Sequence, residues 1–482
     1  MARESIVIVG GGISGLSAAW ELSGGEAGPN EATPRIELIE ASARVGGSLA
    51  TTQFARRTVD LGADGFLARR PEGVTLVSEL GWSDRLEAVD ASGASIYLRG
   101  ALDELPIGLA LGIPTSSGQL RDVKGLSWRA KFHAQRDEVM PVRMTIGDDA
   151  TIGDIVRTKL GRELAYQFVE PMIGGIQAGR IDELSAKSVF PALLEAARQG
   201  GSLMKALRPT GSVVPGPSPT ATTSSPMFYS LLTGVGSLPV EIARQVEERG
   251  VIIRTGVPVT ALRRTPSASY PWEVDTASTT TPADSVILAT PAPVVGRLLG
   301  ALDLALDALS DVRSAGAAMI TFSVSRDGVT LPATGTGVLV PLATSWTEGS
   351  MMVTAVTFLD RKWPHLRHDD SVFLRAHAGR SDDTRWSELA DDELAARVTR
   401  ELATVLPRFE HPSEFLVQRW PDALPQYYVG HETLVANAKS AAGTHRVALC
   451  GNAYDGVGIP ASIGSGRRAA REALAMLELS SR

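Results

Sequence analysis

An apolar run, Ser5-Ile6-Val7-Ile8-Val9, passes directly into Gly10-Gly11-Gly12-Ile13-Ser14-Gly15, and Leu16-Ser17-Ala18-Ala19 follow. A GxGxxG between a predicted strand and a predicted helix restricts the fold more than any other feature of this chain. Gly10 permits the tight turn, Gly12 lets a diphosphate approach the backbone, and Gly15 lets helix and strand pack closely. Leu16, Ala19 and Trp20 begin the helix's inner face. The free N–H groups at the helix start, with the positive end of its dipole, suit a diphosphate. A second strand, Ile36-Glu37-Leu38-Ile39, ends in Glu40, placed to accept hydrogen bonds from a ribose 2′-OH. Glu40 lies 25 residues beyond Gly15, and the polar loop Ser23 to Pro34 accounts for this late position. An ordinary glycine turn needs neither the second strand nor the acid. Together they predict a dinucleotide site in a Rossmann-like α/β domain.

The rest of the composition narrows the class. At 482 residues the chain is too long for one core, and two or three domains are expected. A net charge of −7 argues against general nucleic-acid binding. Cys450 is the single cysteine, which excludes an intramolecular disulfide, a Cys-based zinc site and a redox pair. Seven scattered histidines have no metal-like spacing. The first strand begins too near Met1 for a leader, and no apolar run approaches the ~18 residues of a bilayer span. No transmembrane segment and a cytoplasmic location are therefore expected.

Along the chain, 1–95 reads as β-α-β with further strands. Ile152, Ile155, Val156, Leu160 and Leu164 recur at helical spacing from Thr151 to Arg198, with Gly174-Gly175 and Pro191 as interruptions. Residues 208–226, rich in Pro, Ser, Thr and Gly, read as a disordered surface insertion. Strands are predicted over 251–262 and 272–290, and a mainly β region from Val312 to His377. An amphipathic helix covers Glu388 to Leu406, a short strand Arg446 to Cys450, and a long helix Pro460 to Leu479. Nucleotide-domain signals at both ends imply a discontinuous dinucleotide-binding domain over 1–95, 228–296 and 443–482. A helical substrate-side domain then covers 96–227 and a mixed-sheet substrate domain 297–442.

Two further segments carry chemistry. In Glu40-Ala41-Ser42-Ala43-Arg44-Val45-Gly46-Gly47-Ser48, paired glycines let the chain pass close to a diphosphate or sugar, and Arg44 is an available counter-charge. In Cys450-Gly-Asn-Ala-Tyr454-Asp-Gly-Val457-Gly458-Ile459-Pro460, a glycine-rich loop leads into a helix with proline in its first turn. If a flavin is bound, that helix start could face its N1–C2=O edge; the other reading is a plain docking helix.

These segments resemble the flavin amine oxidase superfamily and, within it, the protoporphyrinogen/coproporphyrinogen oxidases of haem synthesis. The pattern is most similar to the soluble actinobacterial and Gram-positive coproporphyrinogen III oxidases. Leu61-Gly-Ala-Asp-Gly-Phe-Leu67 resembles the family turn beside the flavin, and Val169-Glu-Pro-Met-Ile-Gly-Gly-Ile-Gln-Ala-Gly179 its helical region. Arg361-Lys-Trp-Pro-His365 and Arg419-Trp-Pro-Asp-Ala-Leu-Pro-Gln-Tyr427 also fit that family. The resemblance implies FAD contacts at Gly10, Gly11, Gly12, Ile13, Ser14, Gly15, Glu40, Ala41, Arg44, Gly47 and Ser48. It adds Gly62, Ala63, Asp64, Gly65, Val259 (adenine side), Trp420, Val457, Gly458, Ile459 and Pro460. Ser48 stands where the family often has Arg or Lys, and Ala94-Ser95 where some relatives carry a propionate-binding arginine.

The implied reaction is a six-electron oxidation of a porphyrinogen by O2, with hydride transfer from a meso carbon to the flavin and three H2O2 released. Coproporphyrinogen III is the implied substrate, with protoporphyrinogen IX the alternative. A transient contact with ferrochelatase, the next enzyme, is a further implied partner. Arg69, Arg70 and Arg99 are candidate cations for substrate carboxylates. No Ser/His/Asp set, paired carboxylates or activated cysteine is present, and no catalytic base is assigned. The rival readings are an amine oxidase or carotenoid desaturase, and a flavin-free binding protein of the GDP-dissociation-inhibitor kind.

Overall fold

Strands buried on both faces read as unbroken apolar runs, and Ser5–Val9, Ser285–Leu288 and Val447–Leu449 are buried along their whole length. With Arg35–Ile39 and Ile252–Arg254 they form a five-stranded parallel sheet. Its order is 252–254, 35–39, 5–9, 285–288, 447–449. The sheet thus draws on both ends and the middle of the chain. In this computed structural model residues 4–208, 226–265, 270–342, 344–347 and 349–478 are described. The insertion predicted at 208–226 lies outside the described residues except for Arg208 and Pro226.

The first helix, Ile13–Leu22, buries Leu16, Ala19 and Trp20 as its periodicity predicts. It packs against the C-terminal helix, Ile459–Glu478, so closely that a side chain on Gly466 would strike the Ser14 carbonyl. A glycine there sets the start of the first helix against the C-terminal helix about two turns in from Ile459.

A second, seven-stranded sheet is mixed, as expected. Its order is Glu414–Pro425, Ser314–Ser325, Ser371–Ala378, Val353–Phe358, Gly337–Leu339, Ser95–Leu98 and Ala101–Glu104. Only the pair joining 337–339 to 95–98 is parallel. The boundary drawn at residue 96 therefore falls within a strand. Side chains alternate between the two faces of a strand. Ile320, Phe322, Val356, Phe358, Leu374 and Ala376 pack with Leu394, Val398 and Leu402 of the helix Asp391–Val405. The opposite face carries Thr321, Thr357, Arg375 and His377.

The helical region has its own core, in which Ile152, Ile155, Val156, Leu160 and Leu164 are fully buried. One expectation is corrected here. Gly174-Gly175 does not interrupt a helix; the helix Glu170–Gln177 runs through it and ends at left-handed Ala178 (φ 49°). Glycine weakens a helix by roughly 1 kcal/mol without forbidding it, and packing against the second sheet overrides that cost.

Candidate active site

The three glycine-bearing segments all follow the carboxyl ends of strands of the one parallel sheet, where open α/β sheets bind ligands. Residues 10–15 follow Ser5–Val9, residues 40–48 follow Arg35–Ile39, and residues 451–460 follow Val447–Leu449. Gly10 (φ 106°) turns the chain where a side chain would press to 2.6 Å from the Ala289 carbonyl. Gly15 lies against the Gly10 carbonyl itself, and no side chain fits there. Gly12 is different. It caps the first helix in extended geometry (φ −69°, ψ 176°), and an added Cβ meets nothing within 4 Å. The packing of the chain thus accounts for Gly10 and Gly15 and leaves Gly12 facing open space.

The paired glycines are pinned to this loop. Gly46 N–H donates to Gly11 O (2.8 Å), Gly12 and Gly46 form an isolated bridge, and Gly47 lies beside Gly12. Arg44 folds back, donating to the Gly47 carbonyl (2.8 Å) and to those of Val45 and Leu49. Ala41, Gly47 and Ser48 are exposed. The Glu40 carboxylate accepts from Gly11 N–H (2.6 Å) with one oxygen and from Ser42 N–H (2.7 Å) and Oγ with the other. It fastens the second strand to the glycine loop, and one lone pair of the oxygen facing Gly11 is left for a ribose. Beyond it, Val257 N–H donates to Glu40 O and Gly256 N–H to Ser42 O. This brings the start of the strand Val259–Arg264 alongside the same turn.

The turn Gly62-Ala63-Asp64-Gly65 is clamped by the second sheet. Trp420 Nε1 donates to Leu61 O (2.9 Å), and buried Arg375 donates to Gly62 O (3.0 Å), Thr321 Oγ1 (3.1 Å) and the Asp60 carbonyl. Lys362 pairs with Asp64 at 2.8 Å. A side chain on Gly65 would strike the Trp363 ring. Burial alone would raise the Asp64 pKa; Lys362 and Arg375 outweigh it and hold the carboxyl at about 2. Asp60 goes the other way. Burial pushes it up to about 6, against hydrogen bonds from Val235 and Gly236 N–H. His377, two residues from Arg375 on the same strand face, is lowered to about 4 by burial and by that guanidinium, so its imidazole is neutral at pH 7.

At the C-terminal loop, Asp455 anchors the segment Val457-Gly458-Ile459-Pro460. It accepts from Lys439 (2.6 Å), Arg468 (2.8 Å) and Ser465 Oγ. These bonds hold its pKa down although burial alone would raise it. Gly458 (φ 102°) needs glycine for its backbone, and an added Cβ there also meets nothing. Two helix starts with free N–H groups thus border open space, with Glu40 beside the first. These residues fit a dinucleotide.

The sequence profile of flavin containing amine oxidoreductases matches residues 13–474. The chain belongs to that family. Its cofactor is FAD. The coproporphyrinogen III oxidase of Bacillus subtilis (strain 168) is 31% identical over 98% of this chain and 99% of its own length. That of Mycobacterium leprae is 34% identical over 97% and 98%. Human protoporphyrinogen oxidase is 30% identical over 97% and 98%. A crystal structure from Exiguobacterium sp. 255-15, provisionally assigned as a protoporphyrinogen oxidase, superposes with a TM-score of 0.84 at 29% identity, covering 99% of this chain and 100% of that one. A putrescine oxidase shares the fold alone, with a TM-score of 0.67 at 18% identity over 98% and 99% of the two chains.

The three candidate arginines differ in their surroundings. Arg69 and Arg70 are exposed just before the helix Pro71–Glu79, with Arg70 4.0 Å from Glu72. Arg99 sits in the turn between Ser95–Leu98 and Ala101–Glu104, paired at 3.2 Å with Glu163, itself held by Ser127. Sequence spacing cannot show that Glu163 pairs with Arg99. Conversely, Arg375, His377, Lys362 and Asp455 lay in recognised segments without being singled out. For Arg375 and His377 the signal is a strand, Ser371–Ala378, with arginine and histidine on one face and apolar residues on the other.

Proposed function

We propose that this flavin oxidase converts coproporphyrinogen III to coproporphyrin III with O2 as acceptor. The observation that carries the reading is the end-to-end likeness to coproporphyrinogen III oxidases of Bacillus, Mycobacterium and Staphylococcus. The dinucleotide-shaped cradle supports it. FAD supplies two-electron oxidation and passes the electrons to O2. Six electrons and six protons leave the macrocycle, so three O2 become three H2O2. In this reading Gly10 to Gly15 with Glu40 hold the adenine half, Val259 borders the adenine, and Arg44 and Ser48 lie near the diphosphate. Gly62 to Gly65, Trp420 and Val457 to Pro460 line the ring end. Arg375 and the Asp64–Lys362 pair fix the turn at that end, and neutral His377 offers an uncharged polar surface beside it.

The proposed domains remain an FAD domain over 1–95, 228–296 and 443–482, a helical domain over 96–227 and a sheet domain over 297–442. No helix among the described residues is long and apolar enough to cross a membrane. A cytoplasmic location and a transient contact with ferrochelatase belong to the proposal. Protoporphyrinogen IX is the second substrate reading, favoured by the likeness to the human oxidase. The test is porphyrin fluorescence on adding each porphyrinogen to purified, flavin-loaded protein, with peroxide counted. Three H2O2 per porphyrin and higher kcat/KM for coproporphyrinogen III are expected. Higher kcat/KM for protoporphyrinogen IX would transfer the assignment, and no porphyrin from either would end it.

A further inference from the structure

The second sheet carries a row of side chains that lies deep in the fold and is still uncovered. Strand register sets Gln418, Met319, His377, Ala355 and Leu339 side by side on five neighbouring strands. All five are partly exposed. Their neighbours along the strands, Ile320, Val356, Ala376 and Ala378, point the other way into the core that holds the helix Asp391–Val405. Strands lie about 4.8 Å apart, so the row spans about 19 Å.

The next row, with Thr321 and Arg375, is buried and tied to the carbonyls of Asp60 and Gly62. Trp420, two residues from Gln418 on the same face of the edge strand, donates to Leu61 O. At the far end Leu339 packs against the helical core. The open row is therefore a floor that runs from the Gly62–Gly65 turn to the helical region.

His377 stands at the centre of this floor, between Met319 and Ala355, and is its one titratable group. Nε2 lies 3.3 Å from Thr357 Oγ1, and Nδ1 makes no hydrogen bond among the described residues. Burial and the Arg375 guanidinium keep the ring neutral at pH 7. With Nε2–H donated to Thr357, Nδ1 keeps its lone pair. Gln418, at the edge of the floor, spends its amide nitrogen on the Arg419 carbonyl (2.8 Å).

The two ends of the reaction differ in what they offer that lone pair. In a porphyrinogen the sp3 meso carbons let the four pyrrole rings tilt, and an N–H can turn out of the mean plane toward one face. A porphyrin is conjugated and flat, and its two remaining N–H groups lie in the plane and point at the ring centre. We infer that His377 accepts a pyrrole N–H of the bound porphyrinogen and loses that bond once the macrocycle is oxidised, so that the floor holds substrate and releases product. This rests on the porphyrinogen reading.

The test uses flavin-loaded wild type, His377→Phe, which keeps an aromatic ring without a nitrogen, and His377→Gln, which keeps an acceptor. It measures kcat and KM on coproporphyrinogen III, and the Kd for the product coproporphyrin III by fluorescence titration. His377→Phe should raise KM about 5- to 50-fold, as expected when a buried donor is left unpaired. Its kcat should stay within about 3-fold of wild type, since the bond is made before the chemical step. Its Kd for coproporphyrin III should also stay within about 3-fold, because the flat product never makes the bond. His377→Gln should recover most of the lost KM. A distorted floor would weaken substrate and product alike. Equal losses on both, an unchanged KM in His377→Phe, no recovery in His377→Gln, or a loss traced to flavin content or folding would overturn the inference. A wild type inactive on both porphyrinogens would instead remove the functional reading itself, which separates the two failures.

Discussion

Gly12 and Gly15 stand three residues apart in one motif, yet the structure assigns them different tasks, and substitution should separate these. At Gly12 the backbone is extended and an added methyl touches no protein atom, so Gly12→Ala costs only the poorer helix cap. That is about 0.5–1 kcal/mol, or roughly 1–3 °C in Tm for a chain of this size. The methyl would instead occupy the approach of the diphosphate. A 100-fold weaker Kd, about 2.7 kcal/mol, is expected. At an FAD concentration of 100 times the wild-type Kd, the wild type gains about 2.7 kcal/mol from binding, and the variant only about 0.4 kcal/mol. Gly15→Ala drives its methyl into the Gly10 carbonyl, and should destabilise by about 1–3 kcal/mol or more with or without FAD. The assay is thermal unfolding of flavin-stripped protein across an FAD titration, with bound flavin read by absorbance. A Gly12→Ala protein that keeps stoichiometric FAD and the full FAD-dependent shift would refute the placement of the diphosphate.

Three further perturbations test the supporting charges. Lys362→Met leaves Asp64 buried without its closest cation; a loss of about 3 kcal/mol is expected by denaturant titration, with the Asp64 pKa rising from about 2. Asp60 has a folded pKa of about 6, above its unfolded value near 3.9, so the fold binds its proton more tightly. Stability from this group is full below about pH 4 and lost as pH rises through about 6; Asp60→Asn should flatten that slope, and an unchanged slope in unfolding curves at pH 4 to 7 would contradict it. Asp455→Asn weakens the bonds from Lys439 and Arg468; a loss of about 1.5–3 kcal/mol should come with faster FAD release in stopped-flow dilution, because the Val457–Pro460 loop loses its anchor.

What the sequence by itself determined was local. Ser5–Val9, the glycine turn, Glu40 and the C-terminal Gly-Pro helix start are legible because period, turn chemistry and capping act over a few residues. The family motifs added the turn at Gly62–Gly65 and the Trp420 segment. The tertiary structure decided the rest. Lys362 and Asp64 meet across 298 residues of chain, and no local pattern encodes such a pairing. Arg375 reaches the Gly62–Gly65 turn, with His377 on the same strand face, because their strand buries its other face against the helix Asp391–Val405. Gly174-Gly175 looks like a break until the sheet packed against its helix is in place. Arg70 and Arg99 are equally charged in the sequence; the fold brings a carboxylate to 3.2 Å from the guanidinium of Arg99 and leaves that of Arg70 half exposed. A guanidinium is available to a ligand only where folding has left it unpaired, and that depends on long-range contacts.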